Sequence, residues 1–221
     1  MEEKDTTKKK LLRAGIKLFS QYGYAATTTR MIAAEADVNL SAIAFHYKNK
    51  ECLYAACLEY MHDKIKSYYE DSYTAIEEAI TEGSVTKEKA YEFLKKLIDL
   101  QIEAAFGQQY QTTLALVYQE GCGPEGIYPL SSVVFKRQEG VMAKLLQILA
   151  PVSDEKAMVD SRFINGSIIA FGEHGNLIKP YILKKDKSAE FPDWVKAEIR
   201  ENCLAIVRRY MERPEEPSGE D

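Results

Sequence analysis

Apolar residues recur at three- and four-residue steps along almost the whole chain, a period that admits helices and little else. Leu11, Leu12, Gly15, Ile16, Leu18, Phe19 and Tyr22 form one such stripe, and Leu53, Ala56, Leu58, Met61, Ile65 and Tyr69 a second. Phe93, Leu94, Leu97, Ile98, Ile102 and Phe106 form a third. Later sets run through Phe163, Ile164, Ile168, Ile169 and Phe171, and through Ile199, Leu204, Ile206, Val207 and Tyr210. Alternating, strand-like segments are nearly absent. The reading is an all-α protein of about nine helices.

Capping and breaking residues divide the stripes. Asp5, Thr6 or Thr7 opens the first helix, and Gly23, which accepts the left-handed conformation of a helix end, closes it. Thr27-Thr28-Thr29 offers caps for a short helix through Met31, Ile32, Ala33 and Ala36. Asp37-Val38-Asn39 breaks it, and Leu40 to Tyr47 has room for another. Ala33 is small where the pair must cross, while Val38 and Ile43 supply an apolar face toward the first helix. Two short helices around a tight turn are the requirements of a helix-turn-helix. Asn49 then caps a long helix reaching toward Ile80, Glu82-Gly83-Ser84 is a linker, and Thr86 caps the next helix. Further helices are expected over 110–119, from Pro129 to Ala150, from 154 to 172 and from 193 to 212. Residues 121–126 and 173–191 read as loops, and 214–221 as a disordered tail.

Composition narrows the function classes. With 46% hydrophobic and 29% charged residues over 221 positions, the chain can bury a sizeable core. The net charge is −5, but its distribution matters more. Residues 1–50 hold nine Lys/Arg against five Asp/Glu, while the remainder holds twenty against twenty-nine. A basic head on an acidic body suits one end that meets a polyanion. Cys52, Cys57, Cys122 and Cys203 show no metal-like grouping with the three histidines and read as separate reduced thiols. No apolar run approaches the ~20 residues of a membrane span, and the charged start is unlike a secretory signal, so a cytoplasmic location is expected.

The segment Gly23-Tyr24-Ala25-Ala26-Thr27-Thr28-Thr29-Arg30-Met31-Ile32-Ala33 resembles the opening pattern of the TetR family of transcription regulators. The run Val38-Asn39-Leu40-Ser41-Ala42-Ile43-Ala44-Phe45-His46-Tyr47-Lys48-Asn49-Lys50-Glu51-Cys52-Leu53-Tyr54 continues it, in a form similar to the CecR-like subgroup. The resemblance covers residues 8–54. Two departures stand out: Asp37 occupies a turn position where the family often has Gly, and Ala44 a position where it often has a phosphate-reaching Tyr.

The resemblance implies an N-terminal three-helix helix-turn-helix DNA-binding domain over 1–50, with helix four, from 49, bridging to a larger helical domain over 51–213 for effector binding and dimerisation. It makes Leu40 to His46 the recognition helix. Asn39, Ser41 and Ala42 can reach base edges, Ala42 touching a thymine methyl, and Asn39 serves equally as an N-cap. Leu40 and Phe45 can pack on thymine methyls or sugars, or Leu40 within its own domain. Thr29, Arg30, His46, Tyr47 and Lys50 are candidates for phosphate contact, with Tyr47 equally suited to the core. The implied partners are double-stranded operator DNA, a second copy through helices 154–172 and 193–212, and an unidentified small-molecule effector, with no membrane, metal or cofactor. The candidate effector lining is Phe93, Gln101, Phe106, Tyr110, Tyr118, Phe135, Met142, Phe163 and Asn165, a mix of aromatic and polar groups; aromatics at helical spacing are also ordinary core.

Two other readings have less support. Catalysis lacks a nucleophile elbow, phosphate-binding glycine loop or zinc-protease motif, and Glu120 near Cys122 or Glu173-His174 has no evident third partner. The chain is therefore read as no enzyme. A membrane-surface helix over Lys8–Lys17 leaves the two short helices after it without a use.

Overall fold

Threonine, asparagine and serine side chains start the helices where the sequence places them. Thr6, Thr28 and Thr86 accept from the backbone N–H three residues on, at Lys9, Met31 and Lys89. Asn49 Oδ1 accepts from Cys52 N at 2.8 Å, and Ser153 Oγ from Lys156 N. The computed structural model describes residues 6–107, 116, 124, 130–173, 175–183 and 190–212. Among them it contains nine helices and no strand: α1 (Thr7–Ala26), α2 (Thr29–Glu35), α3 (Ser41–Tyr47), α4 (Lys50–Thr81), α5 (Lys87–Phe106), α6 (Leu130–Leu149), α7 (Asp154–Glu173), α8 (Gly175–Leu183) and α9 (Asp193–Met211).

Contacts divide the chain into two units, one of 1–68 with 108–134 and the other of 69–107 with 135–221. In the first, Leu11, Leu18, Phe19, Ile32, Ile43, Leu53, Tyr54, Leu58 and Leu116 are buried in one core. Ala33 is buried there too, and Val38 packs against its edge. Gly15 sets the approach of α1 to α4: a Cβ there would lie 2.9 Å from Cys57 Sγ. In the second unit α5 packs against α7 and α9, which also pack on each other. Leu94, Leu97, Ile98, Ile164, Ile168, Ile199, Leu204 and Val207 supply the buried surface.

Ion pairs tie the helices of the second unit. Arg137 on α6 reaches Glu77 through Nε and Nη2 (3.1 and 2.7 Å) and Glu70 through Nη1 (3.1 Å), with Thr74 Oγ1 at 3.3 Å. The hydrogen bonds from Arg137 hold the Glu77 carboxyl below its ordinary range. Arg200 on α9 makes a two-bond contact with Asp99 on α5.

The 173–191 segment corrects the sequence reading. Residues 175–183 are helical, not a loop, despite Pro180 inside the helix. Ile178 and Ile182, four residues apart, are both half-buried. An apolar pair on one helix face offsets the ladder bond that Pro180 cannot make. The helix expected over 110–119 apart from Leu116, the 121–126 loop apart from Pro124, the Pro129 start, Glu120, Cys122, His174 and the 214–221 tail lie outside the described residues.

Gly172 on α7 lies at a close approach to α5. A Cβ there would stand 2.8 Å from both the Cβ and the carbonyl oxygen of Ala105 on α5. Backbone cannot yield as a flexible side chain can, so G172V should destabilise the protein by about 2–4 kcal/mol. Denaturant melts of the two forms check this, and a difference below about 0.5 kcal/mol would show that the crossing relaxes freely.

Candidate nucleic-acid interface

Three non-regular residues aim the second and third helices. Gly23, at φ 75°, does not close α1 but kinks it three residues before its end at Ala26, and the buried Thr27 hydroxyl lies within hydrogen-bond reach of the Leu18 and Gly23 carbonyls. Asp37 takes φ 51° at the end of α2. There Asp37 N donates to Ala34 O and Val38 N to Ala33 O, the paired bonds of a left-handed helix cap. Asp tolerates that region better than most residues with a Cβ, so the departure from Gly at this turn is accommodated. Lys48 takes φ 68°, ψ −57°, with Asn49 N bonded to Tyr47 O across it. This strained three-residue turn ends α3 and points the chain into α4.

The buried residues of α3 are Ile43 and Tyr47. Tyr47 OH donates to the Lys8 carbonyl at 3.0 Å, and burial pushes its hydroxyl pKa up to about 12. Tyr47, a candidate for phosphate contact, thus stands in the core against α1. The other face is open: Phe45 is 84% and Leu40 44% exposed, with Ser41 and Ala44 also exposed. Ala42 and His46 are half-buried, and the His46 ring meets Phe45 edge-on at 4.9 Å. Asn39 performs the capping role, its Oδ1 accepting from Ser41 N and Ser41 Oγ, both at 3.0 Å. The Ser41 hydroxyl is engaged in the same contact.

Thr29 is half-buried and Arg30 exposed at the start of α2. Lys50, at the first residue of α4, holds its Nζ 4.1 Å from the centroid of the Tyr24 ring. Partial burial there lowers the Lys50 pKa from its ordinary value. This pairing is not legible in the sequence, because Tyr24 reaches α4 through the bend at Gly23. On α1, Lys17 is paired with Glu35 of α2, and Lys8 lies over the Tyr47 ring at 5.8 Å.

The effector candidates divide. Gln101 and Met142 are buried together: Gln101 Nε2 donates to Tyr73 Oη at 3.2 Å and lies 3.6 Å from Met142 Sδ. Gln101 Oε1 has no hydrogen-bond partner among the described residues. Asn165 is buried, its Nδ2 3.3 Å from Glu139 Oε1, and Arg162 Nε pairs with the same oxygen at 2.8 Å. Phe93, Phe106 and Phe135 are half-buried, with Phe106 edge-on to Phe191. Phe163 is not brought into this interior; it is 61% exposed, in an open groove with Met158, Val159, Arg162 and Glu139. Tyr110 and Tyr118 lie outside the described residues. Among the described residues no cluster of metal-ligating side chains occurs, and no helix is long and apolar enough to cross a membrane.

Residues 11–57 match the family described as bacterial regulatory proteins, tetR family. The HTH-type transcriptional dual regulator CecR of Shigella flexneri is 43% identical over 61 residues, which is 28% of this chain and 27% of that regulator. The chain therefore matches about a quarter of the length of that curated relative. Among solved structures, AibR in complex with isovaleryl coenzyme A and operator DNA superposes with a TM-score of 0.64 at 13% identity, covering 91% of this chain and 97% of that one. The multidrug binding protein EbrR complexed with malachite green gives 0.57 at 15% identity over 90% and 96%. These two likenesses show the shared fold. Over residues 11–57, about a fifth of its length, the chain is similar to the tetR family of bacterial regulatory proteins.

Proposed function

We propose that this chain is a ligand-responsive transcription regulator, a repressor, that binds a palindromic operator as a homodimer in the cytoplasm and changes its DNA affinity when a small molecule occupies the larger domain. Regulators of this family are DNA-binding, ligand-responsive proteins and typically repressors. One observation carries the reading: α3 buries Ile43 and Tyr47 and leaves Phe45 84% exposed, with Leu40 just before it 44% exposed. The exposed ring is free to meet a partner surface, and a major groove lined with thymine methyls supplies one.

Residues 1–50 are the proposed DNA-binding domain, with α4 extending from it into the effector-binding and dimerisation part over 51–213. Leu40, Ser41, Ala42 and Phe45 read base edges, with Asn39 offering its amide nitrogen while its oxygen caps α3. Thr29, Arg30, His46 and Lys50 take backbone phosphates, which fix position without carrying sequence information. One short helix buries too little area for specificity, so a twofold pair is required, with half-sites about one helical turn (~34 Å) or a multiple apart. Segments 154–172 and 193–212 are the proposed dimer helices, and the exposed Met158, Val159 and Phe163 on α7 give them an apolar face. In the effector part, the unpartnered Gln101 Oε1 is an acceptor suited to a ligand N–H or O–H, with Phe93, Phe106, Phe135, Met142 and Asn165 as further lining. A ligand that prefers the arrangement with displaced recognition helices weakens DNA binding by its differential affinity, commonly about 1–3 kcal/mol. AibR, crystallised with both an acyl-coenzyme A and operator DNA, and EbrR, crystallised with a dye, support a ligand-responsive reading.

Selection of bound sequences from a random duplex library tests the proposal. A palindromic motif is the expected product. Lys50→Ala should weaken binding to every duplex alike, whereas Ala42→Ser should change the preferred base in each half-site by about 1–3 kcal/mol of discrimination. Identical sequence profiles for both variants would overturn this division of roles.

A further inference from the structure

We infer that Tyr24 is a positioning residue for duplex binding, its ring holding the Lys50 ammonium where α4 begins. The inference rests on reading Lys50 as a phosphate contact and goes beyond it by assigning what fixes that side chain. Lys50 Nζ lies 4.1 Å from the Tyr24 ring centroid, inside the range at which a ring face attracts a cation. Among the described residues the ammonium has no carboxylate partner, so its charge is not spent on an ion pair.

The ring is itself held in place. Tyr24 stacks on Phe19, with centroids 6.0 Å apart and planes 19° from parallel. Its other neighbour is Tyr54 on α4, at 5.0 Å. Phe19 and Tyr54 close the group edge-to-face at 4.9 Å, and both are fully buried. Gly23 makes the group possible, because its φ of 75° turns the chain so that Tyr24 lies back on α4. Tyr24 and Lys50 themselves are half-buried, which leaves one side of the ammonium open to solvent.

A free lysine stem samples many rotamers, and ordering it on a phosphate opposes binding. An ammonium already settled on a fixed ring loses less freedom when the duplex arrives. A cation–π contact also keeps the positive charge, so the ammonium remains attractive to phosphate in a way that one neutralised by a carboxylate would not. The alternative role for the same geometry is sequestration, with the ring competing against phosphate for the ammonium; the test separates the two by sign.

Phosphate contacts are independent of sequence, so the probe is a fluorescein-labelled mixed-sequence duplex of about 30 base pairs, read by anisotropy at about 50 mM salt. Y24L, which keeps apolar bulk and removes the π face, should weaken binding about three- to tenfold. Y24F, which keeps the face and loses the hydroxyl, should stay within about twofold of the native chain. In the K50A background, Y24L should add no further loss, because Tyr24 acts through Lys50. An equal loss in both backgrounds would assign the ring a packing role and overturn the inference, as would unchanged or tighter binding by Y24L. Should Y24L fail to fold, replacing Tyr24 with phenylalanines of increasing fluorine content weakens the ring face at nearly constant size. Affinity should then fall stepwise, and a flat series overturns the inference. A native chain with no duplex affinity removes both this inference and the regulatory reading, whereas a binding native chain with no coupling between Tyr24 and Lys50 removes this inference alone.

Discussion

Raising the salt from about 50 to about 200 mM should weaken duplex binding by about two orders of magnitude, and K50A should reduce that loss to about one. The expectation follows from counting charges at the interface. If Arg30 and Lys50 of each protomer each neutralise one phosphate, a dimer displaces counterions from about four, giving a log–log slope near −3.6. Removing Lys50 from both protomers leaves about two and a slope near −1.8. The Thr29 hydroxyl adds a hydrogen bond without adding to this count. The slope is a better readout than affinity alone, because a variant that merely loosened the fold would lose affinity without altering the number of ions released. Titrations at four or five salt concentrations check it, and a K50A slope equal to the native one would remove Lys50 from the phosphate contacts.

The second large effect is on stability. Asp160 on α7 is buried, with its side chain 5% exposed, and its Oδ2 accepts from Tyr210 OH on α9 at 2.7 Å and from Lys156 Nζ. Replacing Asp160 by Ala removes this buried link between α7 and α9 together with the Lys156 pair and should cost about 2–4 kcal/mol in a denaturant melt. Burial alone would raise the Asp160 pKa, but the hydrogen bonds from Lys156 and Tyr210 outweigh it and hold the carboxyl below its ordinary value. A folded-state pKa below the unfolded one means that the unfolded chain binds more protons as pH falls. The contribution is therefore complete above the unfolded carboxyl value, about 3.9, and is lost as pH drops through the lower folded value. The difference in unfolding free energy between native and D160N should be constant from about pH 7 to about pH 5 and shrink below about pH 4. A difference that stays constant to about pH 3 would show that this carboxyl does not titrate with folding.

The parts of the fold legible in the sequence are those set by local chemistry. The apolar stripes of α1, α4, α5, α7 and α9 follow from spacing alone, and the threonine and asparagine caps lie where their side chains bond. Asp37 at positive φ follows from what that residue tolerates. Features decided by contacts distant in sequence were not legible. The α8 helix was hidden by Pro180 and neighbouring glycines, and depends on burial of Ile178 and Ile182. Glu70, Thr74 and Glu77 form a visible stripe on α4, yet nothing local says that Arg137, 60 residues beyond Glu77, closes onto it.

The candidate interface shows the same division. Sequence spacing locates α3 and its two faces, and burial then decides what spacing leaves open. Tyr47 goes to the core through its bond to Lys8, and Asn39 is engaged as a cap. Phe163 reads from the sequence as one more aromatic in an apolar stripe, but α7 turns it outward, where it serves the proposed dimer face rather than the proposed effector interior. The Tyr24–Lys50 pair was the hardest to foresee, since it depends on a single bend at Gly23.

Presentation of Phe45 by α3 to a duplex groove is tested directly by the affinity of the native chain and of F45E for the duplex recovered from a random library. Phe45 is 84% exposed, so the substitution should leave the thermal midpoint within about 2 °C of native. The native chain should bind and F45E should lose at least about a hundredfold in affinity, because a carboxylate would then face the phosphate-lined groove. A native chain that recovers no duplex, or an F45E variant that binds as tightly as the native chain, would contradict that presentation.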